Sequence, residues 1–324
     1  LALALLAGLY VKSHLEEFRL LLAKPIGAGL WAAVFVSVGL SLIVNSEILR
    51  LGIRALGVPL GPWEGLALNM STMAANYFIP FKGGAGLRAY YLATRYRMTL
   101  ADFFAQILVV SVVALSTGSL LAFLGLLVAA PDQAQWPLLT YFGGTFLLGW
   151  SSIFWVGRLS FARRRPRLAA LAHGWDAFRA NPGVLWRLAI YQTAFFLVLA
   201  QANRLCFTAF GVDLGFGQAL FYSTVQIHST IVNLTPAGLG VVEAFAVLTG
   251  KALGFDPPQA LLAQGLNRLA QLSLLVLIGL IGWPRLRRQP LAPPKAAAGP
   301  ETERPPEPGS AGLGPEKPPD SEAA

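Results

Sequence analysis

The sequence is poor in charge, in cysteine and in histidine. Charged residues make up 13% of its 324 residues, about half of their usual share in a soluble domain. The single cysteine, Cys206, excludes an intrachain disulfide, and with only three scattered histidines it leaves no cluster of metal ligands. HExxH, GxSxG and Walker motifs are missing, and no polar connector is long enough to form a catalytic domain. We therefore expect no enzymatic activity, no cofactor and no metal.

Long apolar runs take the place of the missing charge. Hydrophobic residues make up 55% of the chain, and its mean hydropathy is +0.57. Several runs reach the roughly 20 residues that a helix needs to cross a bilayer. We therefore predict an all-α integral membrane protein, a polytopic helical bundle. The predicted spans are 25–44, 99–130, 137–156, 184–211 and 258–283, the last of them stopped by Pro284.

The net charge of +9 lies entirely in the apolar part of the chain, because six basic and six acidic residues cancel from Arg285 onward. Seven arginines but only one acidic residue, Asp176, lie between Arg158 and Arg187. In a membrane protein such an excess marks a cytoplasmic segment, and no nucleic-acid-binding motif accompanies it. We therefore predict a multi-pass protein of the bacterial plasma membrane with no nucleic-acid partner, its Arg-rich loop and C-terminal tail in the cytoplasm.

These features divide the chain into four parts. Residues 1–157 form a first transmembrane half, residues 158–183 an Arg-rich cytoplasmic loop, and residues 184–284 a second transmembrane half. The remainder, 285–324, is rich in Pro, Ala, Gly and Glu. We predict that it is disordered, because it cannot bury enough apolar surface to offset the loss of chain entropy.

Each transmembrane half contains one polar break with proline and glycine. The breaks are STMAANYFIPFKGGAGLRAYYL, residues 71–92, and STIVNLTPAGLGVVEAFAVL, residues 229–248. Both carry Ser-Thr, Asn, Pro, two glycines and a charged residue in that order, with spacings that differ by one or two residues. Breaks at corresponding positions of two apolar halves point to a membrane transport site. The order pairs Asn76 with Asn233, Pro80 with Pro236, Gly84 and Gly86 with Gly238 and Gly240, and Arg88 with Glu243.

The charge pattern gives the two halves opposite orientations. From the directions of the flanking spans, the segment around Pro80 must begin and end in the cytoplasm, and the segment around Pro236 must begin and end outside. We therefore predict two inverted-topology half-repeats. Each broken segment is either a re-entrant hairpin or a pair of full short spans. The short arms favour the hairpin, whose irregular backbone must be buried in protein or line a wet cavity.

Polar residues recur at helical spacing near each break and in the last span. We expect these stripes to face one another, away from lipid, and to line a common site. The alternative is that they only join helices through hydrogen bonds, as amides and hydroxyls do in membranes. The stripes are Asn69, Thr72 and Asn76; Gln226, Ser229, Thr230 and Asn233; Gln264, Asn267, Arg268 and Gln271; and Arg88, Tyr91 and Arg95.

Two arginines are the main candidates for headgroup contacts. Arg268 lies deep in the last span, where an unpaired charge costs at least a few kcal/mol, and Glu243 is its nearest candidate partner. The pair is either purely structural or part of a headgroup or proton site. Arg88 lies at the expected start of the helix after the first break, where backbone amides and a guanidinium bind phosphate well. Alternatively, Arg88 and Lys82 only set the topology.

The two breaks resemble the signatures of a flippase-like family that is named for the transmembrane region of lysylphosphatidylglycerol synthases. The first signature, N-x3-P-x3-G-x3-RA-x2-L, matches NYFIPFKGGAGLRAYYL. The second, P-x-G-x-G-x2-E followed by an apolar helix with an arginine, matches TPAGLGVVEA and NRLAQL. The resemblance covers roughly residues 1–284 and implies movement of an aminoacylated phospholipid between leaflets. It points to Pro80, Gly84, Arg88, Pro236, Gly238, Gly240, Glu243 and Arg268 as site residues.

We therefore expect a lipid translocase for an anionic, aminoacylated or glycosylated lipid. Arg88 and Arg268 would attract an anionic headgroup, and Glu243 would balance charge or accept a proton. The alternative is a non-transporting membrane subunit that organises an envelope lipid- or glycan-modifying enzyme through the Arg-rich loop and the tail. Lipid aminoacylation is not expected, since the sequence contains no aminoacyl-transferase domain. The remaining polar site residues are Asn76, Asn233, Gln226 and Asn267.

Overall fold

The fold is known from a computed structural model that describes residues 15–23, 25–79, 83–129, 136–155, 166–232, 238 and 240–288. Regular structure within these residues is helical, with no β-strand among them, which confirms the all-α prediction. In chain order the helices are α1 (Leu15–Leu22), α2 (Ala28–Arg54), α3 (Pro62–Phe78), α4 (Gly83–Tyr96), α5 (Leu100–Ala129), α6 (Trp136–Trp155), α7 (Pro166–Arg179), α8 (Pro182–Thr208), α9 (Phe216–Val232), α10 (Val241–Ala252) and α11 (Pro257–Arg288).

Four helices are long and apolar enough to cross a membrane, namely α2, α5, α8 and the Pro257–Gly279 part of α11. Large apolar side chains stand exposed along them, among them Val36 on α2, Val128 on α5 and Ile190 on α8. An apolar exterior of this extent suits lipid contact and not water. The 20-residue α6 falls outside this group, because tryptophans, glycines and serines lower its mean hydropathy. Its predicted span stays a prediction.

Helices of the two halves pack in matching pairs. The first long helices of the halves, α2 and α8, contact each other. In the first half, α3 packs against α11 of the second half; in the second half, α9 packs against α5 of the first. In the same way, α2 contacts α11 and α8 contacts α5. The two arms of each break also contact each other, α3 with α4 and α9 with α10. Such an exchange of partners fits two structural half-repeats. The inverted orientation and the re-entrant course stay predictions, because helix packing does not tell which end faces the cytoplasm.

The largest core cluster joins the two halves. It contains Val38 of α2, Met70 of α3, Phe207 of α8, Tyr222 of α9 and Leu266 of α11, all buried. Small buried residues lie between the larger ones and let the helix backbones approach closely, as is usual in membrane bundles. These are Ala200, Ala202, Ala219, Ala246, Ala260, Ala263 and Ala270.

The ends of two helices differ from the predicted ones. The α2 helix does not end near Asn45 but continues to Arg54, because Ile48, Leu49 and Ile53 extend its buried face. The α11 helix is not stopped by Pro284 and runs on to Arg288. Proline removes one backbone hydrogen bond there, but only the last turn follows it, and the buried Leu286 holds that turn in the fold.

The predicted Arg-rich loop contains α7, which folds back onto the bundle. Trp175 and Phe178 on α7 are buried, and the Trp175 indole donates a hydrogen bond to the Ile153 carbonyl on α6 at 3.1 Å. Gly174 lies so close to Ala105 on α5 that a Cβ atom would stand 2.6 Å from the alanine methyl group. The described part of this loop therefore packs against α5 and α6.

Candidate functional site

A cavity of about 250 Å³ with polar and apolar walls lies where helices of the two halves meet. Its walls come from α2, α3, α8, α9, α10 and α11, so both predicted half-repeats contribute to it. Phe195, Phe196 and Leu199 on α8 form an apolar part of the wall. Concave sites with a few converging polar groups are where proteins bind small ligands. The polar lining consists of Ser41, Asn45, Tyr77, Ser223, Gln226, Gln264, Asn267, Arg268 and Gln271.

Arg268 and Glu243 form an ion pair at the edge of this cavity. Arg268 Nε lies 2.9 Å from Glu243 Oε1, and the side chains are 14% and 27% exposed. The second carboxylate oxygen accepts a hydrogen bond from the backbone nitrogen of Gly240 at 2.7 Å. Arg268 Nη1 is buried and has no hydrogen-bond partner. The pair offsets the cost of burying each charge, and it places a paired arginine in the wall of the cavity.

A single glycine conformation sets up this arrangement. Gly240 precedes the first turn of α10 and has φ 86°, a region that a residue with a Cβ atom rarely adopts. The turn brings the Gly240 amide onto the carboxylate of Glu243, three residues further along the chain. A carboxylate in the first turn also interacts favourably with the helix dipole. The Glu243 carboxylate is therefore held by the backbone at the start of its own helix as well as by Arg268.

Amide side chains join the cavity walls. Gln226 on α9 donates to Gln264 on α11 at 3.1 Å. The Tyr77 hydroxyl on α3 donates to Gln271 on α11, also at 3.1 Å, and this contact links the first half to the second. The structure thus brings Gln226 and Gln271 to one site, as the stripe pattern predicts.

A buried chain of hydrogen bonds continues behind this wall. Asn267 on α11 donates to Asn203 on α8 at 2.8 Å, and Asn203 donates to Ser223 on α9 at 2.7 Å. Asn203 is 1% exposed, so losing a partner there would leave a buried polar group unsatisfied. Asn267 therefore has two roles, since it lines the cavity and also holds α8, α9 and α11 together.

The polar stripe of α3 does not line the cavity. Asn69 donates to Ser46 on α2 at 3.0 Å, and Thr72 donates to the Leu68 carbonyl in its own helix. Asn76 accepts a hydrogen bond from the backbone nitrogen of Gly84 at 2.9 Å. Because this amide belongs to the first turn of α4, Asn76 caps α4 from α3. These contacts match the alternative in which the stripe joins helices.

Arg88 also lies apart from the cavity. It was expected at the start of its helix, but α4 begins at Gly83, so Arg88 stands after the first turn, beyond the unbonded amides. Its guanidinium lies 5.4 Å from the centre of the Phe103 ring on α5, a cation–π geometry. Its Nε atom is buried without a hydrogen-bond partner. The expected placement at a helix N-terminus is wrong.

The glycines of the breaks have different surroundings. A Cβ atom on Gly84 would overlap the Thr72 carbonyl oxygen, whereas one on Gly86 would meet nothing within 4 Å. Gly238, like Gly240, has a positive φ, of 69°. Pro80, Asn233 and Pro236, which the sequence also singles out, lie outside the described residues.

A second ionic cluster, which sequence reasoning missed, fixes the first break. Glu64 on α3 accepts hydrogen bonds from Tyr91 at 2.6 Å, from Arg95 at 2.9 Å and from Tyr96 at 2.7 Å, all on α4. Its side chain is 9% exposed. The sequence signal is the shared face of Tyr91 and Arg95, but the sequence analysis does not single out Glu64 as their partner.

Asn45 and Tyr77 were missed as cavity residues for a similar reason. Asn45 was placed at the end of its span, whereas α2 continues beyond it to Arg54. Its amide nitrogen contacts the Met73 sulfur at 3.6 Å, and thioether sulfur is a weak acceptor. Tyr77 adjoins Asn76, and only the helix geometry shows that the tyrosine, not the asparagine, faces the cavity.

Comparison with known families gives a match over most of the chain. The model of the lysylphosphatidylglycerol synthase TM region matches residues 1–279. The chain belongs to this family. That membership confirms the resemblance seen in the two breaks and, together with the apolar helices, makes the chain a membrane protein of a lipid-related family. Searches of curated proteins and of solved structures found no match.

Proposed function

We propose that the chain is a lipid translocase that moves an anionic, aminoacylated or glycosylated lipid between the leaflets of the bacterial plasma membrane. The observation that carries the proposal is the cavity between the two halves of an apolar bundle, whose wall contains nine polar residues. A translocase needs a polar path for a headgroup inside a protein whose outside contacts lipid. Family membership supports a lipid as the substrate.

The cavity residues suit the passage of a headgroup. Arg268 lies in the wall of the cavity, and Glu243 holds its guanidinium in an ion pair. One arm of the first break, α3, and both arms of the second, α9 and α10, contribute to the cavity wall. In this proposal the two breaks enter the membrane from opposite faces. The Arg-rich loop and the tail are then cytoplasmic. The proposal contains transport and no chemical step.

A leaflet-accessibility assay tests the proposal. The full chain is reconstituted into vesicles with fluorescent lipid analogues, and loss of the outer-leaflet signal on quenching is followed over time. We expect wild type to move an analogue faster than protein-free vesicles and Arg268→Ala to slow that movement. Arg54→Ala, an exposed arginine at the end of α2, is the matched control. Equal movement by wild type and Arg268→Ala would remove the basis of the proposal.

The alternative, a non-transporting subunit that organises an envelope lipid- or glycan-modifying enzyme, stays a hypothesis. It rests on the loop arginines and the tail, and residues 156–165 and 289–324 lie outside the described part of the chain. The described α7 packs against α5 and α6. A partner capture that is unchanged after deletion of 290–324 and substitution of the loop arginines would count against this alternative.

A further inference from the structure

The charge of the cavity wall restricts the types of lipid headgroup that the proposed translocase would bind. Arg268 is the one charged residue among the described lining residues, and its ion pair with Glu243 cancels that charge. The other arginine expected to attract an anion, Arg88, packs against Phe103 instead. An anionic headgroup would therefore bring an unbalanced charge next to a carboxylate in a desolvated site, which is costly.

Carboxamides dominate the polar part of the wall. They are Asn45, Gln226, Gln264, Asn267 and Gln271, joined by the hydroxyls of Ser41, Tyr77 and Ser223. A carboxamide offers two donors and an acceptor with two lone pairs, and a hydroxyl both donates and accepts. A ligand with several hydroxyls has the same alternation of donors and acceptors without charge. This wall is thus matched to neutral, multiply hydroxylated groups.

Two further features fit such a ligand. Phe195 and Leu199 supply a partly exposed apolar surface on which the C–H face of a sugar or polyol can pack. The cavity volume of about 250 Å³ lies below the roughly 300–1,000 Å³ of pockets for drug-sized ligands. It suits a headgroup and excludes a whole lipid with two acyl chains.

We infer that the cavity binds an uncharged polyhydroxylated headgroup, such as the sugar of a glycosyl diacylglycerol. The inference rests on the proposed function for the path of the lipid, but the binding chemistry stands on the wall itself. Asn45 is the specificity residue. Its only hydrogen bond to another described side chain is the long contact with the Met73 sulfur, so its amide is available to a ligand.

Binding and transport are measured in separate experiments, so that the headgroup inference and the translocase proposal can be tested independently. Full-length protein in nanodiscs is titrated with one of three lipids: a monoglycosyl diacylglycerol, phosphatidylglycerol or plain diacylglycerol. The thermal unfolding midpoint is measured at each lipid concentration. We expect the glycosyl lipid to stabilise wild type most strongly. Asn45→Leu should weaken its apparent affinity about tenfold, the effect of about 1.4 kcal/mol, while Asn45→Gln should keep most of it.

The matched control is Gln201→Leu, which makes the same kind of change on the exposed side of α8 and should leave binding unchanged. Stabilisation by phosphatidylglycerol that equals or exceeds that by the glycosyl lipid would overturn the headgroup inference. So would equal stabilisation by all three lipids. If the glycosyl lipid binds as expected but no fluorescent analogue moves between leaflets, the translocase proposal fails and the headgroup inference stands.

Discussion

Glu64 and Glu243 are carboxylates in the first turns of α3 and α10, one in each half of the molecule. Glu64 is 9% exposed and receives three side-chain donors from α4, the other arm of its own break. Glu243 is 27% exposed and contacts an arginine on a different element, α11, next to a cavity. The first carboxylate joins the two arms of its own break, whereas the second holds an arginine that lines the cavity.

The difference shows that two breaks with a similar order of residues can have different roles. A carboxylate whose oxygens are filled by three donors fixes two helices and has little capacity left for a ligand. The ion pair of Glu243 and Arg268 is partly exposed, and its arginine lines a cavity, so a ligand can reach it. The α3–α4 unit is therefore the rigid counterpart of the α9–α10 unit, and substitutions in the two units should affect different properties.

The largest expected effect is the loss of stability on Glu64→Ala. Three donors lose their common acceptor, and removing one partner of a buried ion pair costs about 3 kcal/mol. Unfolding in detergent by increasing denaturant measures the change. The control Glu16→Ala removes a carboxylate that is 80% exposed in its pair with Arg19, and the expected change stays within about 0.5 kcal/mol. A Glu64→Ala protein as stable as wild type would refute a rigid α3–α4 unit.

A pair of glycines tests the packing of the same unit. Gly84→Ala places a methyl group on the Thr72 carbonyl, and forced overpacking of this kind costs about 2 kcal/mol. Gly86→Ala has open space around its Cβ and should gain up to about 1 kcal/mol from better helix propensity. Unfolding midpoints of the two variants give the comparison. Equal midpoints would contradict the close approach of α4 to α3.

Glu243→Gln should slow transport and also lower stability. The amide oxygen can still accept from the Gly240 nitrogen, but the negative charge that holds Arg268 is lost, and an unpaired charge deep in a membrane helix is costly. We expect lipid movement to fall about tenfold, an effect of about 1.4 kcal/mol, and the unfolding midpoint to fall as well. The double change Glu243→Gln with Arg268→Gln restores neutrality and should recover part of the rate. A single variant that moves lipid as fast as wild type would show that the pair is only structural.

Much of the fold can be predicted from local features of the sequence. Apolar length and breaking residues predict most helix bounds within a few residues, and the depth of Arg268 predicts a partner, for which Glu243 was the candidate. The errors concern side-chain direction and neighbours. Arg88 packs on Phe103 because α4 begins earlier than its charge suggests. Pro284 lies inside α11 because tertiary contacts of Leu286 outweigh one lost hydrogen bond.

The candidate site was predicted only in part for the same reason. Gln226, Asn267 and Arg268 were expected and line the cavity. Asn76 was expected as well, but it caps α4, and its neighbour Tyr77 takes the cavity position. Helical spacing groups residues on a face, yet only packed coordinates tell which neighbouring helix that face meets.

The central claim is that the cavity is a path reached from both membrane faces. Accessibility of single cysteines tests it most directly. The buried Cys206 is replaced by alanine, and Asn45→Cys or Gln271→Cys is introduced in vesicles of known orientation, with Leu148→Cys on the exposed apolar face of α6 as control. We predict that a membrane-impermeant thiol reagent labels both cavity cysteines from either side and leaves the control unlabelled. Labelling from one side only, or from neither, would contradict the claim.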